Sequence, residues 1–180
     1  MGGPKAWLLI EGKPLLLLHV ERARAAGCDP VVVVVSDERI ASVVSGISGI
    51  VLAVSRAPDQ AGSLAIGVRA LTARHESAVL VTPVDALPAK LSTIALLFDA
   101  LAGGAQAATP LHRTRGGHPI ACRLGVLVGD RAHSLSLRER LAALGQARVR
   151  VEVDDAAVSS DLDTPADVLA VTGAGPTFWE

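Results

Sequence analysis

Val31 to Val35 form an unbroken run of β-branched residues. A strand with one wet face alternates apolar and polar side chains. One that is apolar at every position must be covered on both faces, as in a parallel sheet packed under helices. The rest of the chain repeats the layout this requires. Helical punctuation brackets residues 14–26, with Pro14 at a first-turn position and Gly27 just past the end. Beyond the valines, the patterning predicts a helix near 38–44, a strand near 50–54, a helix near 62–73, a strand at 78–82 and a helix near 91–101. Shorter strands are expected near 107–109, 119–123 and 149–153, with helices at 135–144 and 164–171. Strands alternating with helices imply right-handed crossovers and a three-layer α/β/α domain, Rossmann-like, on a mostly parallel, doubly wound sheet. No linker or repeat divides the 180 residues, so one domain is expected over 1–172, with 173–180 as a loose tail whose Phe178 and Trp179 are candidates for docking.

Composition narrows the class of partner. Acids and bases are interspersed and the net charge is −1, so no basic stripe invites a nucleic-acid backbone or an anionic membrane. The apolar stretch 8–20 is broken by Glu11, Lys13 and Pro14 and falls short of the ~20 residues of a membrane span. Cys28 and Cys122 are too few and too far apart for a disulfide framework, and both read as small core residues. With no targeting signal visible, the expected location is the cytoplasm.

Ligands of open α/β sheets bind outside the carboxyl ends of the strands, so chemistry is sought just after them. Met1-Gly2-Gly3-Pro4-Lys5 reads as the end of a phosphate-binding loop, in which amides and a lysine meet phosphates, or else as a terminus with one solvated lysine. Asp85 follows the strand at 78–82 and is either a Mg²⁺ carboxylate or a loop residue tying down nearby N–H groups. In Asp161-Leu162-Asp163-Thr164-Pro165-Ala166-Asp167, a helix start employs Thr164, Pro165 and Asp167, leaving Asp161 and Asp163 for other work, of which a second metal carboxylate is the sharper. In Arg115-Gly116-Gly117-His118-Pro119 the glycines allow close approach to a ligand, and Arg115 and His118 can meet a phosphate or a ring edge; a plain turn is the alternative. Gly62-Ser63 opens a helix, so Ser63 is an N-cap, a crevice residue, or both.

Taken together, these segments resemble the MobA-like NTP transferases, especially the molybdenum-cofactor cytidylyltransferase branch, within the nucleotide-diphosphosugar transferase fold. The carriers are Met1 to Lys5, Gly12-Lys13-Pro14-Leu15-Leu16, Ser63-Leu64-Ala65-Ile66-Gly67, the acidic loop at Asp85, Gly117-His118-Pro119 and the run from Asp161 to Asp167. The resemblance implies transfer of a nucleoside monophosphate from an NTP to a phosphate-bearing acceptor such as molybdopterin, with release of pyrophosphate. It assigns Lys5 and Asp85 to catalysis; Gly2, Gly3, Lys5, Gly62 and Ser63 to the nucleotide; Arg115, Gly117 and His118 to the acceptor; and Asp85 and Asp163 to Mg²⁺. The Pro-Lys ending of the loop puts CTP ahead of GTP. A sugar phosphate is an alternative acceptor, and a degenerate homologue that binds without turnover is an alternative to the enzyme.

The sequence departs from the family's pattern in two places. Two residues rather than one separate Asp85 from Leu87-Pro88's proline, which lengthens that loop. The family's opening strand and Gly-x-Ser-x-Arg turn have no counterpart ahead of Met1, so 31–35 and 78–82 are expected to lack a strand between them unless residues 7–10 move into the gap. Asp85 and Asp163 are expected to converge, with carboxylates roughly 4–6 Å apart.

Overall fold

The computed structural model describes residues 2–57, 59–71, 77–128 and 135–179. A tight hairpin, β1 (Leu9–Ile10) and β2 (Lys13–Pro14), comes first. Its two loop residues, Glu11 at φ 51° and Gly12 at φ 79°, have the positive φ values that match a two-residue turn to the twist of its strands. Pro14 precedes rather than begins α1 (Leu15–Ala25); β3 (Val31–Val35), α2 (Glu38–Ser45), β4 (Ile50–Val54) and α3 (Gln60–Arg69) follow. Asp37 and Asp59 start the last two helices by accepting from Arg39 N and Gly62 N, so the N-cap of α3 is Asp59 and not Ser63. α3 ends at Arg69 with Ala70 as its C-cap, short of the expected 73; residues 72 and 73 of that expectation lie outside the described residues.

β5 (Ala78–Val81) and α4 (Leu91–Ala102) lead to β6 (Ala107–His112), which runs three residues beyond expectation and folds back through Arg113-Thr114 into β7 (Arg115–Gly116). β8 (Ile120–Arg123), α5 (Leu137–Ala143), β9 (Arg148–Glu152) and α6 (Pro165–Thr172) complete the chain. Capping boxes start α5 (Ser136 with Glu139) and α6 (Thr164 with Asp167), and Gly173 at φ 71° closes α6.

β3 and β4 pair in parallel; β8 runs antiparallel between β5 and β6, and β9 pairs in parallel with β6. The architecture is thus α/β with mixed strand pairing, parallel at β3–β4 and β6–β9 and antiparallel at β5–β8, β6–β8 and β6–β7, where a mostly parallel sheet was expected. Among the described residues the sheet is in two pieces, since β3 bonds only to β4 and β5 only to β8. Helices bridge the pieces. Gly67 of α3 lies against Val34, while its neighbour Val68 packs with Val79 and Val81. On the other face, Leu16 and Val20 of α1 pack on Val33 and Val35, and Ala26 and Leu80 both pack against the cluster of Ala89, Ile94 and Val158.

Residues 7–10 do not enter the division between β3 and β5. Lys5–Trp7 make one 3-10 turn, Leu8 bridges to Phe178, and Leu9–Ile10 form the hairpin. The tail is docked rather than loose: Leu9 N donates to Thr177 O at 2.8 Å, Trp179 N to Trp7 O at 2.8 Å, and the two tryptophan rings meet edge-on at 5.1 Å. Cys122 is fully buried, whereas Cys28 is only half-buried. Among the described residues no helix is long and apolar enough to cross a membrane.

Candidate active site

Three sequence-distant side chains meet at the carboxyl end of the sheet. Lys5 Nζ donates to Asp85 Oδ2 at 3.2 Å and to Asp163 Oδ1 at 2.5 Å. Two oxygens flanking one ammonium at those distances are at most about 6 Å apart, so the carboxylates converge as the paired acidic loops predicted.

Each of the three is delivered by packing. Ala6 and Trp7 sink into the cluster of Leu16, Val20, Val33 and Val35, which fixes the turn carrying Lys5. The loop after β5 is zipped to residues 160–162: Leu87 N donates to Ser160 O at 3.1 Å, Leu162 N donates to Asp85 O at 2.8 Å, and Ala86 bridges to Asp161. Leu162 is wholly buried with Leu8, Leu15 and Leu87. One alternating strip therefore points Leu162 inward and leaves Asp163 at the crevice. Burial works to lower the Lys5 pKa, but the hydrogen bonds and charges of Asp163 and Asp85 outweigh it and hold the ammonium above its usual value.

His19, on α1, was not singled out by the sequence. Its Nε2 donates to Ala86 O at 2.8 Å, so it braces the Asp85 loop from below, and burial pushes its pKa down. A lone histidine on an apolar helix face carries no local signal of this; only the return of residues 84–86 over α1 creates the contact.

Gly117 is placed by necessity. A Cβ there would fall 1.5 Å from Val158 O, and the next residue's amide, His118 N, donates to that same oxygen at 2.8 Å. Gly117 therefore clamps the β6–β7 hairpin onto residues 156–160 rather than offering its own atoms outward. His118 is held beside Asp161 and Asp85; burial lowers its pKa while the two carboxylates oppose the shift, and its buried Nδ1 has no hydrogen-bond partner among the described residues. Arg115, in contrast, is exposed at the hairpin.

The residues expected to hold the nucleotide are less closely tied to this centre. Gly3 packs under the Phe178 ring, with a Cβ position 2.9 Å from Cδ1, and Gly2 is next to it at φ 95°. Gly62 fits against Ala57, where a Cβ would lie 2.4 Å from that methyl. Ser63 Oγ is 3.1 Å from Ser55 Oγ, at the carboxyl end of β4.

Among the described residues no group of three or more His, Cys, Asp and Glu side chains converges on a metal position. The two carboxylates nonetheless suit a hard cation of the Mg²⁺ kind, which commonly takes one or two carboxylates and completes its shell with water and substrate phosphate. They outnumber the Lys5 charge by one, so an approaching polyphosphate meets net repulsion that a divalent cation relieves.

A family profile described as MobA-like NTP transferase domain matches residues 1–158. No curated protein matches the chain. Among solved structures, 4-diphosphocytidyl-2C-methyl-D-erythritol synthase is similar with TM-score 0.78 at 18% identity, covering 94% of this chain and 92% of that one. Rv0371c from Mycobacterium tuberculosis H37Rv is similar with TM-score 0.72 at 19% identity, over 97% and 91% of the two chains, and it has also been solved as a complex with manganese. CMP:2-keto-3-deoxy-manno-octonic acid synthetase, solved with CTP, has TM-score 0.72 at 19% identity over 94% and 90%. At these identities the solved structures establish a shared fold.

Proposed function

Because this chain belongs to the MobA-like NTP transferase domain family, a family of nucleotidyltransferases, we propose that it moves a nucleoside monophosphate from an NTP, CTP in preference to GTP, to a phosphate-bearing acceptor of the molybdopterin kind. The observation that carries this reading is the single ammonium of Lys5 between Asp85 and Asp163. A phosphate oxygen of the acceptor attacks the α-phosphorus, the bond to the bridging oxygen breaks, and pyrophosphate leaves. No covalent enzyme intermediate is needed, so the protein's task is alignment and charge neutralisation.

Asp85 and Asp163 would hold Mg²⁺. When bound, the ion polarises the α-phosphate and neutralises developing charge. Lys5 is oriented by the same carboxylates and binds the triphosphate. His19 keeps the Asp85 loop in register, and His118, kept neutral by burial, lies on the acceptor side with Arg115. The likeness to the CTP-bound synthetase supports a cytidine nucleotide, and the manganese complex of Rv0371c supports a divalent ion.

The test is pyrophosphate release with CTP and GTP over a panel of phosphate-bearing acceptors, with and without Mg²⁺. Asp85→Asn, Asp163→Asn and Lys5→Ala are each expected to lower kcat/KM by about 10²–10³-fold, the loss typical of a removed electrostatic group, while circular dichroism stays native. Full activity in Asp85→Asn would overturn the assignment of this centre.

A further inference from the structure

A pocket of about 310 Å³ opens between the β6–β7 hairpin and residues 156–160. Its walls include His112, Arg113, Arg115, Ser159 and Ser160. The volume is at the lower end of small-molecule sites, ~300–1,000 Å³. Among the described residues no carboxylate lines it. No ion pair among the described residues engages Arg113 or Arg115, and these two exposed arginines both line this concavity.

Arg113, at φ 57°, is the first residue of the two-residue turn between β6 and β7, the place that Glu11 holds in the first hairpin. The Gly117 clamp fixes the distance between the hairpin and the opposite wall. His112 Nδ1 donates to Val153 O at 3.1 Å, which leaves Nε2 available. Ser159 and Ser160 both donate to Ala156 O, which leaves their lone pairs for a ligand hydroxyl. The floor continues directly into the catalytic strip, since Ser160 is three residues before Asp163 and a chain of that length spans at most about 10 Å.

We propose that this pocket is the specificity subsite for the acceptor, and that it takes an anionic group of a hydroxyl-bearing acceptor through Arg113 and Arg115 together. Of these residues Arg115 was expected to meet the acceptor, whereas Ser159 and Ser160 were not. The proposal rests on the nucleotidyltransferase reading for the word acceptor; the anion site itself does not depend on turnover.

The probe is inorganic phosphate, titrated against the nucleotide-free protein while the Arg Nε–H and His112 signals are followed by NMR. Arg113 and Arg115 signals are expected to move together with one Kd. Arg113→Ala and Arg115→Ala should each weaken that Kd roughly ten- to hundredfold, the worth of a hydrogen bond to a charged group, and Lys5→Ala should leave it within about twofold. In turnover, Arg113→Ala is expected to raise KM for the acceptor by at least about tenfold, with kcat and the KM for CTP little changed. Phosphate that perturbs neither arginine, or binds Arg113→Ala as tightly as wild type, would overturn the subsite. Loss of phosphate binding in Lys5→Ala with retention in Arg113→Ala would relocate the anion to the catalytic centre and overturn it equally. Phosphate binding at the arginines in a protein that turns over no NTP would leave the subsite standing and defeat the reading of the function instead.

Discussion

At Gly117 the absence of a side chain builds the site. The glycine lets the hairpin backbone lie against Val158, and both the position of His118 and the wall of the arginine pocket follow from that contact. Because the obstacle is a backbone oxygen, no rotamer change relieves it. Gly117→Ala is expected to destabilise the fold by about 3 kcal/mol or more, which lowers Tm by roughly 6–12 °C for a chain of this length. Thermal unfolding checks this, and an unchanged Tm would show that hairpin and wall are free to separate. The glycine pair was visible in the sequence as a place of close approach. That the close partner is the chain itself, at residue 158, was not visible, because the contact joins residues 41 positions apart.

Among elements, α4 shows how one segment starts another far away. Lys90 precedes the helix and supplies no side-chain cap. Asp155, only 2% exposed, does so from 65 residues downstream: one carboxylate oxygen accepts from Lys90 N at 2.7 Å and Thr93 Oγ1 at 2.8 Å, while the other accepts from Ala157 N at 3.2 Å. Asp155→Ala leaves three donors without their acceptor and is expected to cost about 3–5 kcal/mol, measured by chemical denaturation, with Asp155→Asn closer to wild type. An Asp155→Ala protein with wild-type stability would show that water replaces the carboxylate. Local caps such as Thr164 with Asp167 were legible three residues apart; this remote one has no signature along the chain. Strand ends behaved similarly, with β6 running on because β9 accompanies it to Leu111 and β7 pairs with it at His112.

Across the whole molecule, the two ends of the chain hold each other in place. Trp179 caps Trp7, two residues beyond Lys5, and Phe178 covers Gly3, two residues before it. The tail thereby supports the turn that presents the ammonium. Trp179→Ala is expected to lower stability by about 1–2 kcal/mol, or Tm by roughly 2–8 °C, and to raise KM for the NTP, as read by calorimetry and initial rates. A variant with lowered Tm but unchanged KM would confine the tail to a structural role. The sequence by itself determined the α/β class and the alternation of the main strands and helices from β3 onward, and it singled out Lys5, Asp85 and Asp163, which the fold brings together. Those features are written in local periodicity, turn chemistry and short motifs. Only the tertiary structure decided that the sheet is divided between β3 and β5, that His19 braces the Asp85 loop, that the tail closes over the first turn, and that Arg113 and Arg115 share a pocket with Ser159 and Ser160. These depend on which distant segments pack together, and burial and hydrogen bonding between remote residues leave no period in the chain to read.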